Sequence, residues 1–125
     1  MLKGRKTIIV VDDDRTNLTV ARNVLLEKHN ILTVSSGEKL FGILEKVTPH
    51  LILLDVKMPE MDGYDVIKIL KANAKTADIP VLFLSAMSDS DSEVKGLSLG
   101  AVDYVFKPFS TELLRKRKTV RMRHL

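Results

Sequence analysis

The sequence has 125 residues, of which 45% are hydrophobic and 29% charged, so we expect one compact domain, residues 1–125. It contains no cysteine, which excludes disulfides, thiolate metal sites and cysteine nucleophiles. The formal net charge is +4, but six of the 20 lysines and arginines lie in the last eleven positions, so the preceding residues are mildly acidic.

Five short apolar runs, each typical of a β-strand, occur at intervals along the chain. They cover residues 7–11, 31–34, 51–54, 81–84 and 104–106. Each is far shorter than the roughly 20 residues that a membrane-spanning helix requires. The acidic residues 12–14 interrupt the first apolar stretch too early for a signal peptide. We therefore expect a soluble, cytoplasmic protein that has no membrane partner.

Helical periodicity separates these runs, because apolar residues there recur three or four positions apart. Two local signals support the predicted boundaries. Ser36 precedes the second helix as a candidate N-cap, and Gly100 follows the fourth as a candidate C-terminal glycine. The periodic positions are Leu18, Ala21, Val24 and Leu25, then Leu40, Phe41 and Leu44, then Val66, Ile67 and Leu70, and finally Val94, Leu97 and Leu99.

The alternation of strands and helices predicts an α/β fold with a doubly wound parallel sheet. The first, third and fourth runs are apolar almost throughout and show no polar alternation, as expected for central strands covered by helices on both faces. Ligand sites in such sheets lie beyond the carboxyl ends of the strands. The residues that follow each run are therefore the first candidates for a functional site.

Acidic residues follow two of these runs. Asp12, Asp13 and Asp14 follow the first run, and Asp55 follows the third. A single acid there is usually a helix cap, but three beside a fourth carboxylate repel one another unless a cation lies among them. Ligation by carboxylate oxygens is the preference of Mg²⁺. The histidines are scattered away from these strand ends and are predicted to be surface residues: His29, His50 and His124.

Asp55 is followed by Pro59 and Gly63, which predict a tight, rigid connection into the third helix. Ser85 follows the fourth run and Lys107 the fifth, and either residue alone is typical of a turn or a solvated surface. A carboxylate nucleophile, a cation, a hydroxyl and an ammonium group together are what phosphoryl transfer requires, because its transition state spreads negative charge over several oxygens.

At these residues the sequence resembles the receiver domain of two-component response regulators, over residues 6–114. Each matching piece is weak by itself, but their order and spacing together are specific to that family. The resemblance implies a flavodoxin-like receiver fold with three α/β/α layers and strand order 2-1-3-4-5. The matching pieces are VVDDD at 10–14, LLD at 53–55, MPEMDG at 58–63, LSA at 84–86, GA at 100–101 and YVFKPF at 104–109.

The resemblance implies that Asp55 is the phosphoacceptor in a phosphorelay. The donor would be a phosphohistidine on a histidine kinase or a histidine phosphotransfer protein, or a small acyl phosphate. Asp12, Asp13 and Asp55, together with the main-chain carbonyl of Lys57, would hold Mg²⁺ or Mn²⁺. Asp14 matches a variable position and is not assigned to the metal. The chain would thus be a signalling domain, not an enzyme.

The same resemblance implies a switch. Ser85 would move its hydroxyl onto a phosphoryl oxygen, Lys107 would pair with another oxygen, and Tyr104 would rotate inward. The bond between Lys107 and Pro108 would be cis. Phosphorylation would then remodel the surface formed by the fourth helix, fifth strand and fifth helix, where an output domain or a homodimer partner would bind.

Two further positions vary in the family and lie near the phosphoryl site. Lys57 is two residues past Asp55, and Met87 is two residues past Ser85. We predict that these side chains tune how fast water hydrolyses the acyl phosphate.

Two other protein classes with a related fold match the sequence less well. A magnesium-dependent phosphatase of the haloacid dehalogenase type expects a second acid two residues after its nucleophile, where this sequence has Lys57. A flavin-binding flavodoxin expects a phosphate loop rich in glycine and hydroxyl groups, where this sequence has three aspartates that would repel the flavin phosphate.

The basic tail, residues 115–125, permits three interpretations. It is predicted first as the solvated end of the fifth helix or as a linker to an output domain, so the chain is either a stand-alone receiver or a module of a longer protein. Nucleic-acid binding through the tail is the third interpretation, and it predicts a steep salt dependence. Titration against random duplex DNA at low salt separates these interpretations.

Overall fold

A computed structural model of the protein describes residues 4–25, 28–86 and 90–106. Strands and helices alternate along these residues, as the sequence predicts. The elements are β1 (Thr7–Val11), α1 (Arg15–Leu25), β2 (Asn30–Val34), α2 (Gly37–Leu44), β3 (Leu51–Asp55), α3 (Gly63–Ala72), β4 (Val81–Ser85), α4 (Ser90–Ser98) and β5 (Asp103–Phe106).

All five predicted strands are present; β1 has the predicted bounds, and each of the other four differs from its prediction by one residue at one end. Strand β2 begins at Asn30 and β5 at Asp103. Strands β3 and β4 each extend one residue further than predicted, so Asp55 and Ser85 are the last residues of their strands. Both side chains are therefore held by strand backbone that pairs with a neighbouring strand, and not by a free loop.

The strands form one parallel sheet in the order β2-β1-β3-β4-β5. The direction of winding reverses at β1, which pairs with β2 on one side and with β3 on the other. Val11 pairs with Leu54 in the register of β1 and β3, so Asp12 and Asp55 come next on adjacent strands. This topological switch point is where doubly wound sheets bind their ligands.

Helices cover both faces of the sheet. One buried cluster joins alternate strand residues, such as Ile9 and Ile52, to Leu40 of α2 and Ile67 of α3. The other cluster joins the intervening strand residues to Ala21 of α1. The arrangement therefore has three layers, α/β/α, and the fold class predicted from the sequence is confirmed.

Polar side chains define the starts of α2 and α3. Ser36 is the N-cap of α2, and its hydroxyl accepts the N–H of Lys39 at 3.2 Å, as predicted. Helix α3 begins with a capping box. Asp62 accepts the N–H of Asp65 at 2.9 Å, and Asp65 accepts the N–H of Asp62 at 3.3 Å. These contacts satisfy amides that have no partner within the helix.

The buried face of α4 differs from the one predicted. Val94 and Leu97 are 64% and 43% exposed, so they do not form the apolar face that their spacing suggested. The buried positions of this helix include Ser92 and Gly96. Gly96 lies directly against aromatic rings of the core, where a larger side chain has no space. Helix α4 therefore approaches the sheet through its smallest residues, which apolar periodicity does not detect.

Gly100 has φ of 108°, a positive value that agrees with its predicted place after α4. The aliphatic part of Lys71 packs beside it. The Lys71 ammonium donates hydrogen bonds to the main-chain oxygens of Ala77 at 2.9 Å and Ile79 at 3.3 Å. Burial lowers the pKa of Lys71, and Asp78 partly opposes this effect. Lys71 therefore connects α3 to the two loops that precede β4 and β5.

One predicted surface histidine is part of the structure at the amino ends of the strands. The Nδ1 atom of His50 accepts the main-chain N–H of Thr7 at 3.0 Å, and the N–H of His50 donates to the Thr7 oxygen at 2.8 Å. Both His50 and His29 are half-buried, so the prediction of surface residues was wrong for them. His124 lies outside the described residues.

Within the described ranges, no helix has both the length and the apolar character needed to cross a lipid bilayer.

Candidate functional site

Three carboxylates meet at the carboxyl ends of β1 and β3. One oxygen atom from each of Asp12, Asp13 and Asp55 lies within 4.8 Å of the other two. Asp12 and Asp55 are 2% and 6% exposed, whereas Asp13 is exposed to solvent. The structure thus brings together the three side chains that were predicted to be metal ligands.

The chemistry of this cluster fits a hard divalent cation. Negative charges so close together repel one another, and the repulsion grows as the groups leave water. A cation among the carboxylates offsets that repulsion. Oxygen ligands with one side open to water are what Mg²⁺ prefers, since it keeps several water ligands. The exposed Asp13 provides such an open side.

The turn after β1 separates the role of Asp12 from that of Asp14. The carboxylate of Asp12 accepts the N–H of Asp14 at 3.0 Å, and the N–H of Asp12 donates to the oxygen of Val34 at 3.1 Å. The carboxylate of Asp14 accepts the N–H groups of Thr16 at 2.8 Å and Asn17 at 3.4 Å. Asp14 therefore caps the first turn of α1, whereas the carboxylate of Asp12 belongs to the cluster with Asp13 and Asp55.

The connection between β3 and α3 holds Asp55 in place. The N–H of Gly63 donates to the oxygen of Val56 at 2.7 Å. A Cβ atom at Gly63 would collide with the main-chain oxygen of Asp55, so only glycine fits there. The main-chain oxygen of Pro59 accepts a hydrogen bond from two residues further on, across Glu60, whose φ is 68°. The tight connection predicted from Pro59 and Gly63 is present.

The two candidate switch residues lie on the strands beyond Asp55. Ser85 ends β4 and is fully buried. Asp55 pairs with Leu84, so Ser85 lies one step further along the neighbouring strand. Tyr104 lies on β5, pairs with Phe83 and is 3% exposed. Asp55 and Ser85 therefore lie at the same edge of the sheet, and the Tyr104 ring is inside the core.

Of the other predicted site residues, Lys57 lies within the described part of the chain. Lys57 lies in the connection after β3, and its side chain is exposed. Lys107, Pro108 and Met87 lie outside the described residues, as does the tail at 115–125. Their predicted contributions to the site therefore stay predictions.

Sequence reasoning did not identify Tyr64, which follows Gly63 at the start of α3. Tyr64 is 5% exposed, and its hydroxyl lies 3.5 Å from that of Tyr104. The signal was present in the helical period, because Tyr64 precedes Ile67 by three positions and so shares its buried face. The contact with Tyr104, however, joins residues 40 positions apart and has no local signature.

Comparisons with known proteins agree with this arrangement. The sequence profile of the response regulator receiver domain matches residues 8–119. A Vibrio cholerae protein named "Probable cyclic di-GMP phosphodiesterase" is 44% identical over 111 residues, which are 89% of this chain and 25% of that protein. The "Probable transcriptional regulator ycf27" of Cyanophora paradoxa is 39% identical over 91% of this chain and 47% of its own length. The chain thus spans a quarter to about half of these relatives.

A solved structure shows the same fold. The BeF3-activated receiver domain of DrrB from Thermotoga maritima superposes with a TM-score of 0.86 and is 31% identical, covering 95% of this chain and 98% of that domain. The family profile, the relatives and the sheet order all point to one assignment. The chain belongs to the response regulator receiver domain family.

Proposed function

We propose that Asp55 accepts a phosphoryl group from a phosphohistidine of a histidine kinase or a histidine phosphotransfer protein. A carboxylate oxygen of Asp55 attacks phosphorus, the bond from phosphorus to the histidine nitrogen breaks, and the histidine leaves as aspartyl phosphate forms. A small acyl phosphate can replace the protein donor. The observation that carries this proposal is the convergence of Asp12, Asp13 and Asp55 within 4.8 Å at the switch point of the sheet.

Asp12, Asp13, Asp55 and the main-chain carbonyl of Lys57 are the groups that would hold Mg²⁺ or Mn²⁺. An ion bound there would supply positive charge that offsets the negative charge of the transferring group. The protein itself orients the nucleophile, because Asp55 is anchored by β3 pairing and by the close approach of Gly63. Ser85 and Lys107 would donate hydrogen bonds to the phosphoryl oxygens.

Phosphorylation would shift Ser85 and Tyr104 between two arrangements of the region around α4 and β5. The added phosphoryl group carries nearly two negative charges, and only a state that contacts it well gains free energy. The change at this surface would be read by an output domain or by a second copy of the chain. In this account the chain assists its own phosphorylation and dephosphorylation and turns over no separate substrate.

The proposal is tested by incubating the chain with acetyl phosphate and Mg²⁺ and then measuring its intact mass. We expect a single adduct with the mass of one phosphoryl group, formed with Mg²⁺ and absent when the metal is chelated. An unmodified mass under both conditions, with the protein folded, would contradict the proposal.

A paired substitution tests the metal site. We expect Asp13→Asn to weaken Mg²⁺ binding at least roughly tenfold, because one of the three converging charges is removed. Asp14→Asn is the matched control, since the amide oxygen can still cap α1 and the Asp14 carboxylate serves that helix. Isothermal titration calorimetry with Mg²⁺ or Mn²⁺ measures the metal affinity of both variants. Equal affinities for the two variants would mean that the ion binds elsewhere.

Substitutions of Lys57 and Met87 test whether these residues tune hydrolysis of the aspartyl phosphate. We expect Lys57→Ala and Met87→Ala to shorten its half-life by about threefold, because less of the site is shielded from water. Lys68→Ala, on the exposed side of α3, is the control. The decay is followed by intact mass after removal of acetyl phosphate. Unchanged half-lives in both variants would remove the hypothesis.

A further inference from the structure

A buried aromatic contact joins α3 to α4, β4 and β5. The hydroxyl of Tyr64 lies 3.1 Å from the main-chain oxygen of Ser92 and 3.5 Å from the hydroxyl of Tyr104. Its ring meets Phe83 edge to face, with 5.5 Å between the ring centroids. The Lys95 ammonium lies 4.5 Å from the centre of the Tyr64 ring. Tyr64 of α3 therefore contacts α4, β4 and β5 at once.

The hydrogen bonds of this contact have a defined direction. The main-chain oxygen of Ser92 can only accept, so the Tyr64 hydroxyl donates its proton there. The Tyr64 oxygen is then an acceptor toward Tyr104, whose hydroxyl is the donor. The chain of donation runs from Tyr104 through Tyr64 to the first turn of α4. It exists only while the Tyr104 ring points inward.

The position that the Tyr104 ring occupies is narrow. A Cβ atom at Gly96 would lie 2.8 Å from Tyr104 Cδ2 and 3.0 Å from Phe83 Cδ2, so the ring packs directly on the α4 backbone. The centroids of the Phe83 and Tyr104 rings are 5.8 Å apart. We call the space between Phe83, Gly96 and Tyr64 the Tyr104 slot. These three residues come from three different elements, namely β4, α4 and α3.

We propose that Tyr64 is a positioning residue for Tyr104: its hydroxyl holds the Tyr104 ring in this slot and ties that position to the first turn of α4. The inference rests on the proposed function in one respect, namely that Tyr104 acts as the switch aromatic. An outward Tyr104 exchanges its donation to Tyr64 for hydrogen bonds to water, so the Tyr64 hydroxyl favours the inward state by the net difference between the two. Tyr64 thereby sets the resting balance between the two states.

The size of the effect follows from the loss of one hydrogen bond between neutral groups. Removing the Tyr64 hydroxyl while keeping its ring should raise the outward fraction of Tyr104 by roughly threefold to tenfold. The substitution is Tyr64→Phe, which preserves the edge-to-face contact with Phe83. Packing of the ring in the core is retained, so the change isolates the hydroxyl.

The composition of the chain provides a direct measurement. Tyr64 and Tyr104 are the two tyrosines of the sequence, so Tyr64→Phe leaves Tyr104 as the sole tyrosine. Nitration of that ring by tetranitromethane requires exposure, and its rate therefore scales with the outward fraction. We expect Tyr104 in Tyr64→Phe to be nitrated roughly three to ten times faster than Tyr104 in the parent chain, where peptide mass distinguishes the two rings.

Ile67→Val is the control for a general loss of stability, because Ile67 is fully buried on the same helix and makes no hydroxyl contact. A nitration rate in Tyr64→Phe no higher than that in Ile67→Val would overturn the proposal. Tyr104→Phe provides the reciprocal measurement. There, the Tyr64 ring keeps its bond to Ser92 and its contact with Phe83, so its nitration rate should stay near that in the parent. Tyr64→Met, a second variant without the hydroxyl, serves if Tyr64→Phe does not fold, and Tyr104 in it should again be nitrated faster than in Ile67→Val. A Tyr104 rate in Tyr64→Met no higher than in Ile67→Val would overturn the proposal.

The measurement is made on unphosphorylated protein, which separates two possible failures. If Asp55 were not a phosphoacceptor, the acetyl phosphate experiment would give no adduct, while the nitration rates would still report on Tyr64. If Tyr64 did not position Tyr104, the adduct would form as expected and the nitration rates would match those of the control.

Discussion

The Asp55→Asn variant is expected to keep its unmodified mass after incubation with acetyl phosphate and Mg²⁺, whereas the parent chain gains one phosphoryl group. Asparagine matches aspartate in size and keeps its place at the end of β3, where Asp55 is 6% exposed. It has no carboxylate oxygen to attack phosphorus, and its amide is not a competent nucleophile. The loss should therefore be complete rather than partial. Intact-mass spectrometry of both proteins, treated side by side, measures it.

Asp14→Asn is the control for this substitution. Asp14 lies near the cluster but caps α1, so its replacement by asparagine should leave the phosphoryl adduct at the parent level. Circular dichroism confirms that both variants are folded. An adduct of parent abundance in Asp55→Asn would show that another residue accepts the phosphoryl group, and it would contradict the assignment of Asp55.

Gly63→Ala is expected to destabilise the fold by about 3 kcal/mol, a large effect for the addition of one methyl group. The new Cβ atom would collide with the main-chain oxygen of Asp55 and lie 2.9 Å from Val56 Cα and 3.0 Å from Phe83 Cε1. Two of these three neighbours are backbone atoms in or next to β3, which cannot rotate away. Relief of the overlap therefore requires α3 or the end of β3 to move. Urea denaturation followed by circular dichroism measures the loss.

Gly42→Ala provides a matched control in the neighbouring helix. Gly42 lies inside α2, is exposed, and has nothing within 4 Å of its would-be Cβ atom. Alanine there should raise the free energy of unfolding by about 0.5–1 kcal/mol, because it is the better helix former. The two substitutions should thus change the free energy of unfolding in opposite directions. Equal stability of Gly63→Ala and the parent would mean that α3 does not approach β3 so closely.

Gly63→Ala should also affect the site itself. In any protein that remains folded, either α3 or the main chain at Asp55 must move, and both define the geometry of the connection that anchors Asp55. A displacement of about 1 Å is enough to slow a reaction that depends on aligned groups. Reduced labelling by acetyl phosphate in the folded fraction is therefore expected to accompany the loss of stability.

The strands and the acidic cluster could be predicted from sequence because their signals are local or topological. Central parallel strands are apolar on both faces, so residues 51–54 and 81–84 are recognisable without knowledge of their neighbours. Asp12 and Asp55 follow such strands, and parallel strands in a doubly wound sheet place their carboxyl ends at one edge. Local signals of this kind do not determine the order of the strands, which was predicted only through the resemblance to receiver domains.

The features that sequence reasoning missed depend on contacts between distant residues. Val94 and Leu97 have helical spacing, yet α4 packs through Gly96 because aromatic rings of β4 and β5 occupy the space beside it. His50 has no apolar neighbours in a periodic pattern, and its hydrogen bond to Thr7 forms only when β1 and β3 are side by side. Apolar periodicity identifies the buried face of a helix when the surface that it packs against has room for large side chains. The surface beside α4 has no such room at Gly96.

Identification of the residue that carries the phosphoryl group tests whether Asp55 is the phosphoacceptor. The chain is treated with acetyl phosphate and Mg²⁺, the acyl phosphate is reduced with borohydride, and the peptides are analysed by mass. Borohydride converts an aspartyl phosphate to homoserine, so we expect homoserine at position 55 and unmodified aspartate at positions 12 and 13. Homoserine at position 12 or 13, or an adduct that resists reduction because it lies on a hydroxyl group, would show that Asp55 is not the phosphoacceptor.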